Sequence, residues 1–165
     1  MLTGHGLVAR EWTEADLPAM VAIFDDADVA YRTPLVAPFD LAAARAYLAR
    51  TRHGMRHHLA ITTDGLDPLG EVMFNSGTGC VSYVVGAAHR GRGLASRAVR
   101  LMTEHAHRAH GLRQVLLEIE PDNAPSVAVA RATGFRPAGL PTETVVDKGR
   151  AYDLETWVHT VTEDG

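Results

Sequence analysis

The stretch "VSYVVGAAHRGRGLASRAVRLM", residues 81–102, decides the fold of this chain. It opens as an apolar, strand-like run and then passes through Arg90-Gly91-Arg92-Gly93. From Leu94 onward, apolar residues recur every three or four positions, which predicts an amphipathic helix that ends near Gly111. The N-terminus of a helix has unpaired N–H groups and the positive end of the helix dipole. A glycine-rich turn that leads into a helix therefore predicts a phosphate-binding site.

The residues of the turn suit that role, because glycines let backbone amides approach a ligand and arginines donate to phosphate oxygens. Two familiar phosphate loops do not fit. A Walker loop requires Gly-Lys followed by Ser or Thr, whereas Lys148 is the only lysine of the chain. A dinucleotide fingerprint requires a third glycine where this chain has Ser96. The alternative to phosphate binding is a glycine-containing loop with solvated arginines.

Composition predicts one globular domain over residues 1–165, since 46% of the residues are hydrophobic and 22% are charged. Cys80 is the single cysteine, which excludes an intrachain disulfide and a cysteine-based zinc cluster. No apolar run has the form of a signal peptide or approaches membrane-spanning length, so we expect a cytoplasmic protein without a membrane partner. The net charge of −4 argues against nucleic acid as the main partner.

Periodicity and turn chemistry predict an α+β (α/β) chain with a mixed sheet. The first predicted elements are a strand over 6–11, a helix beginning after Thr13 and Asp16, a helix from Asp40 to about Arg52, and strands over 57–63, 69–75 and 79–85. They are followed by the helix from Leu94, a strand over 114–120, and a short helix capped by Asn123 and closed by Gly134-Phe135. Two strands between 136 and 160, on either side of residues 147–149, complete the prediction. The segment between the first two helices, with its two prolines, is predicted to be irregular and contains Tyr31, Arg32 and Phe39.

Four segments together resemble the GNAT superfamily of N-acetyltransferases. Residues 90–95 are similar to the family's Arg/Gln-x-x-Gly-x-Gly/Ala motif, and residues 121–135, "PDNAPSVAVARATGF", resemble its second motif, Asn-x-x-Ser followed by Gly-Phe. The segments at 10–20 and 147–157 resemble the family's terminal segments. The overall look is nearest to the ribosomal-protein N-terminal acetyltransferase branch. This resemblance covers the whole chain and implies a mixed, mostly antiparallel sheet of about seven strands flanked by four helices.

The resemblance also implies acetyl-CoA as co-substrate and no metal. In the family, the loop amides hold the pyrophosphate, and two central strands separate to admit the pantetheine arm. The positions that carry over as cofactor-binding residues are Tyr83, Val84, Val85, Arg90, Gly91, Arg92, Gly93, Leu94, Ala95, Ser96, Asn123 and Ser126. Asn123 is also a good helix cap on physical grounds, a role that we rank first.

Three catalytic roles follow from the same resemblance. The Val85 amide is expected to stabilise the oxyanion, and Glu118 matches the position of a catalytic glutamate that would act as base, through water. The alternative for Glu118 is a polar residue at the end of a strand. Many relatives have a tyrosine acid where this chain has Ala130, so Ser126 is the expected donor to the departing sulfur. A thiolate is a fair leaving group that needs hydrogen bonding more than full protonation.

The expected function is transfer of an acetyl group to a primary amine, either a protein or peptide N-terminus or a small amine. One alternative is a non-catalytic acyl-CoA-binding or regulatory domain. Ala130 favours this alternative, whereas the presence of Glu118 and Ser126 argues against it. A second alternative is a nucleotide-binding oxidoreductase. The sequence leaves a homodimer open. His107 and His110 share a helical face that excludes His105, so these three histidines are predicted to be solvated rather than a metal site.

Overall fold

The computed structural model describes residues 1–162 of the 165 and contains nine strands and five α-helices within that range. In chain order these are β1 (Leu2–Gly4), β2 (Leu7–Arg10), α1 (Leu17–Phe24), α2 (Ala27–Arg32), α3 (Leu41–Thr51), β3 (Arg56–Thr62), β4 (Gly70–Asn75), β5 (Cys80–Val85), α4 (Leu94–His110), β6 (Gln114–Ile119), α5 (Ala124–Ala132), β7 (Arg136–Pro137), β8 (Glu143–Asp147) and β9 (Arg150–Thr160). The elements predicted from the sequence are all present.

The strands form a mixed, mostly antiparallel sheet in the order β1-β2-β3-β4-β5-β6-β9-β7, with β8 paired to β9. Only β5 and β6 run parallel to each other among the described strands. The predicted sheet class is confirmed. The strands that were not predicted, β1 and β7, span three and two residues, which is too short for an alternating pattern to be recognised.

The parallel pair β5 and β6 is joined at one register position, Cys80 opposite Leu116. The Leu116 amide donates to the Gly79 carbonyl at 2.9 Å at this point. Toward the C-terminal end of β5, no further residues pair, although β4 stays paired with β5 as far as Val85. The two central strands therefore separate, and the separation opens the middle of the sheet between its two covered faces.

One face of the sheet packs against the 17-residue helix α4 and against α5. Val72, Phe74 and Val81 from the strands meet Val99 and Met102 of α4 in this core, where each side chain is at most 1% exposed. Burial of these apolar side chains is the main stabilising term of the fold. None of the helices in residues 1–162 is long and apolar enough to span a membrane.

The other face packs against α1 and α3 through an aromatic cluster. Phe24 contacts both Phe39 and Tyr47 edge-to-face, with ring centroids 5.3 Å apart in each pair. Thr13 and Asp16 form the predicted capping arrangement before α1, and Asp16 also binds Arg10 through two hydrogen bonds of 2.7 and 2.9 Å. This layer leaves the C-terminal part of β5 open to one side.

The prediction that the segment between the first two helices is irregular was wrong for residues 29–32, because α2 forms there. The Asp26 side chain accepts hydrogen bonds from the amides of Asp28 and Val29, both at 3.0 Å, which caps the helix. The two prolines lie beyond the end of α2 and so do not interrupt it. A six-residue helix is too short to show an apolar period.

Candidate active site

The predicted phosphate turn has the backbone conformation that glycine favours. Gly91 and Gly93 lie in the left-handed region with φ of 79° and 69°, and Gly93 is the N-cap of α4. A Cβ at either position would meet no atom within 4 Å, so conformation rather than space selects glycine here. The first amides of α4, from Leu94 to Ser96, precede the first intrahelical donor, Arg97, which donates to the Gly93 carbonyl.

This turn forms one wall of a cleft of about 650 Å³ that lies where β5 and β6 separate. The cleft brings together eleven of the predicted site residues: Tyr83, Val84, Val85, Arg90, Gly91, Gly93, Leu94, Ala95, Ser96, Asn123 and Ser126. Arg92 and Glu118 do not line it. The opposite wall comes from α2 and the residue after it. Of its residues the sequence analysis singled out Arg32 and missed Asp28, Val29 and Thr33. The helix-capping Asp26 was the available signal for α2.

The backbone of β5 presents an N–H group to the separation. The Gly86 amide donates to the Leu69 carbonyl at 2.9 Å, which continues the ladder between β4 and β5. Because residues of an antiparallel ladder alternate between facing the partner strand and facing away, the Val85 N–H points away from β4. It is thus directed toward the cleft, which is the geometry that an oxyanion donor requires.

Two hydroxyl groups meet on the α5 side of the cleft. The Tyr83 hydroxyl donates to Ser126 Oγ at 3.1 Å, and the Ser126 amide donates to the Asn123 side chain at 3.5 Å, so Asn123 caps α5 as predicted. Burial raises the pKa of Tyr83, which keeps its proton on the phenol. The sequence reasoning assigned Tyr83 only a backbone role and missed this hydroxyl. Ala130 is fully buried and offers no polar group.

Glu118 lies on β6, two residues beyond the last residue paired with β5, at an exposed position. Strand alternation places it on the face opposite α4, since Val115 and Leu117 pack in the α4 core. Burial, followed by the charge of Glu118, raises the pKa of Cys80 to about 12. Cys80 therefore stays a thiol, as expected for a packed residue rather than a nucleophile.

Glu120 shares the face of Glu118 but has a different environment. Its side chain is 7% exposed and binds Arg150 through hydrogen bonds of 2.6 and 3.1 Å. Arg32 lies 3.0 Å from the same carboxylate. The pKa of Glu120 is lowered, mainly by the hydrogen bonds from Arg150. The Glu120 carboxylate therefore stays charged and binds the two arginines rather than acting as a base.

Arg150 connects this carboxylate to α2. Its guanidinium lies 3.9 Å from the ring centroid of Tyr31 and 4.2 Å from that of Tyr152, and it also donates to the Tyr31 carbonyl at 2.6 Å. Lys148 donates to the carbonyls of Ala30 and Thr33 at 2.8 and 3.0 Å. The turn between β8 and β9 therefore holds the end of α2 against the cleft.

The prediction of solvated histidines was wrong for His107. Its Nδ1 donates to the Leu112 carbonyl at 2.6 Å, and its Nε2 lies 2.9 Å from Nδ1 of His159. His105 and His110 instead meet each other, with ring centroids 5.3 Å apart. In the part of the chain that the structure describes, no three His, Cys, Asp or Glu side chains are placed to hold a metal ion.

The chain matches the family model of the acetyltransferase (GNAT) domain over residues 7–136. With the separated central strands and the glycine turn, this match means that the chain belongs to the GNAT acetyltransferase family. The predicted family and fold are thereby confirmed.

Individual relatives differ in what they are reported to act on. The chain is 32% identical over 160 residues to an L-methionine sulfoximine/L-methionine sulfone acetyltransferase of Pseudomonas paraeruginosa, covering 88% of this chain and 89% of that enzyme. A mycothiol acetyltransferase of Corynebacterium glutamicum is 53% identical over 55 residues, which is 32% of this chain and only 18% of that enzyme. A ribosomal L7/L12 α-N-protein acetyltransferase in complex with coenzyme A shares the fold with a TM-score of 0.79 at 18% identity, covering 96% of both chains.

Proposed function

We propose that the chain is an N-acetyltransferase that transfers the acetyl group of acetyl-CoA to a primary amine by direct attack. The observation that carries this proposal is the separation of β5 and β6 above the glycine turn. It places a free strand N–H, a helix N-terminus and two hydroxyls around one cleft. Acyl transfer needs donors for an oxyanion and for a leaving group, and these groups can supply both.

The cofactor end of the cleft fits a pyrophosphate. The unpaired amides of Leu94, Ala95 and Ser96 and the glycine turn before them offer N–H donors at the positive end of the α4 dipole. Arg90 is 44% exposed and lies 3.4 Å from Asp26, a surface pair that contributes little and leaves the guanidinium free to exchange partners. Arg92 does not line the cleft, but it lies in the same turn between Gly91 and Gly93. These residues would hold the diphosphate of acetyl-CoA, which supplies the thioester.

The β5 and α5 residues would act on the thioester. The Val85 N–H donates to the carbonyl oxygen as negative charge develops there. Ser126 donates its hydroxyl proton in a hydrogen bond to the departing sulfur, and Tyr83 in turn donates to Ser126 Oγ. Because Tyr83 already supplies a donor to the serine oxygen, the serine hydrogen is free to point at the sulfur. The attacking amine displaces the thiolate, and the amine proton leaves with the base.

We assign Glu118 as that base, acting through water. Glu118 lies on the face covered by α1 and α3, whereas Tyr83 and Ser126 lie on the face of α4 and α5. An amine that enters the separation from the first face meets Glu118, and sulfur departs toward the second. In this proposal the amine attacks the thioester carbonyl to form a tetrahedral oxyanion, and the collapse of that intermediate expels the thiolate on the side of Ser126. Because Glu118 does not line the cleft itself, the proposed proton transfer passes through a water.

The acceptor that we favour is an α-amine. The relative with the longest alignment among those above is named for methionine derivatives, whose amine is an α-amine, and a protein N-terminus carries the same group. An α-amine has an ordinary pKa of about 8, so a fair fraction is neutral near pH 7. A strong base is therefore not required. An ε-amine or polyamine, with a pKa above 10, would depend far more on Glu118.

The test is release of CoA from acetyl-CoA, followed with a thiol reagent, across amino acids, methionine sulfone, N-terminal peptides and polyamines. We expect turnover with an α-amine and a loss of about tenfold to a hundredfold in kcat/KM for Glu118→Gln. Glu143→Gln, at an exposed position of β8, is the matched control and should keep full activity. Acetyl-CoA binding without release for any amine would favour the non-catalytic domain, and absence of acetyl-CoA binding would reject both.

A further inference from the structure

A strongly basic segment lies away from the cleft. Residues 41–63 contain four arginines and three histidines but no aspartate or glutamate, although the chain as a whole has a net charge of −4. The segment forms α3, the turn after it and β3. Such segregation of charge raises the local potential for anions even on an acidic protein.

Five of these basic side chains line a second groove of about 450 Å³, between the end of α3 and the edge of β3. They are Arg52, His53, Arg56, His57 and His58, and Glu11 is the acidic residue that joins them. The groove shares no lining residue with the cleft beside β5. Its volume is within the range of small-molecule sites.

The two arginines of the groove differ from the arginines described so far. Arg10, Arg32 and Arg150 each bind a carboxylate at 3.0 Å or less. By contrast, Arg52 and Arg56 take part in no ion pair and no side-chain hydrogen bond within residues 1–162. Two guanidinium groups are thus left with all of their donors available in one concave surface.

His58 is the most buried of the basic side chains in the groove, with a side chain 9% exposed. Tyr47 donates its one hydroxyl proton to Glu71 Oε1 at 2.6 Å, so its oxygen accepts from His58 Nδ1 at 3.1 Å. Trp12 Nε1 donates to the other Glu71 oxygen at 2.8 Å. This buried network holds the imidazole ring in place.

The wall of the groove also offers backbone donors. β2 pairs with β3 only at residues 60–62, whereas residues 56–59 pair with β4 alone. In an antiparallel ladder, alternate residues point their N–H and C=O groups away from the partner strand. Residues 56–59 therefore have unpaired edge groups beside Arg52 and Arg56.

We propose that this groove is a second binding site, for a small molecule that carries a phosphate or diphosphate group. Arg52 and Arg56 donate to the phosphate oxygens, the ring of His58 forms the fixed floor, and edge amides of β3 add donors. A phosphate has enough acceptor oxygens for two guanidinium groups and an amide, whereas a single carboxylate would leave several donors unused. The site is separate from the cleft proposed for acetyl-CoA.

The test is calorimetric titration of inorganic pyrophosphate into the full chain saturated with CoA, so that the glycine turn is already filled. We expect a dissociation constant below about 1 mM and a weakening of at least about tenfold in the double variant Arg52→Gln/Arg56→Gln. The control, Arg45→Gln/Arg108→Gln, removes two exposed arginines outside the groove and should bind within about twofold of the unchanged chain. CoA affinity of each variant reports that it is folded.

Three results would overturn the proposal: no pyrophosphate binding to the CoA-loaded chain, equal binding by the groove double variant, or an equal loss in the control pair. The last would mean that general charge attracts the anion. An amide NMR titration of the unchanged, CoA-loaded chain with pyrophosphate locates the binding site without any variant. Shifts confined to residues 52–59 support the site, and shifts confined to residues 90–97 reject it.

Discussion

Tyr83 and Ser126 come from a strand and a helix 43 residues apart and meet at a hydroxyl-to-hydroxyl distance of 3.1 Å. The orientation of that hydrogen bond matters for the proposed chemistry. A serine that receives a hydrogen bond from tyrosine can give its own hydrogen to sulfur, and the tyrosine polarises that bond. In the proposed mechanism Tyr83 is thus a positioning residue for Ser126.

Changing Tyr83→Phe should lower kcat by about threefold to tenfold, the effect of one hydrogen bond of roughly 1 kcal/mol, and leave the Kd of acetyl-CoA unchanged. The measurement is steady-state kinetics beside a binding titration. Tyr31→Phe, on the cleft-side helix α2, is the control and should keep kcat, since its ring rather than its hydroxyl contacts Arg150. In a Ser126→Ala background, Tyr83→Phe should add nothing; an independent further loss would refute the positioning role.

At the scale of elements, the cleft depends on α2 being held in place by the turn between β8 and β9. Glu120 is the common partner, because Arg150 and Arg32 both bind its buried carboxylate. α2 has only six residues, too few to be a stable helix without such contacts. The α2 wall of the cleft therefore has its position determined by a charged cluster.

Glu120→Gln should loosen that wall, because two arginines lose their shared carboxylate. We expect a several-fold rise in KM for the amine, an unchanged Kd for acetyl-CoA, and a loss of about 1–3 kcal/mol in the free energy of unfolding. Asp122→Asn is the matched control: Asp122 also binds Arg32, but its side chain is 69% exposed, so we expect less than about 1 kcal/mol. Equal effects of the two substitutions on KM would contradict the role given to Glu120.

At the scale of the whole molecule, folding lowers the pKa of two histidines. Burial, and then the neighbouring His107, lowers the pKa of His159, while burial followed by His110 and His57 lowers the pKa of His105. The unfolded chain, with histidine pKa values near 6.5, takes up protons before the folded chain does. Stability therefore falls as the pH drops through that value.

The prediction is a lower urea midpoint at about pH 5.5 than at about pH 7.5, measured by denaturant unfolding. His159→Gln should reduce the difference between the two midpoints, because it removes one of the groups that resist protonation. His53→Gln, in the exposed turn after α3, serves as the control and should preserve it. A midpoint that stays constant or rises toward pH 5.5 would contradict the assignment.

Below about pH 5, protonation of Glu120 adds a further loss of stability, since the pKa of this carboxyl group is lowered in the folded state.

The sequence by itself determined the features that depend on neighbours in the chain. The glycine turn, the start of α4 and the Asn123 cap of α5 are each specified within a few residues, through positive φ angles and helix-terminal hydrogen bonds. The order of the predicted strands and helices is likewise local, because apolar periodicity is read in short windows. That is why the family and the cofactor side of the cleft could both be inferred before the structure was known.

The tertiary structure alone decided the contacts between distant residues. The Tyr83 hydroxyl on Ser126, Arg150 on Glu120, and His107 on His159 each join elements that are 30 to 52 positions apart in the sequence. The tertiary structure also decided the position of helix α2. This helix is too short to show an apolar periodicity in the sequence, and the turn at Lys148 holds it in place. A local pattern specifies which element forms, but the partner of a polar side chain depends on how the elements pack. The α2 wall of the cleft is held in place by such contacts, which join residues that are distant in the sequence.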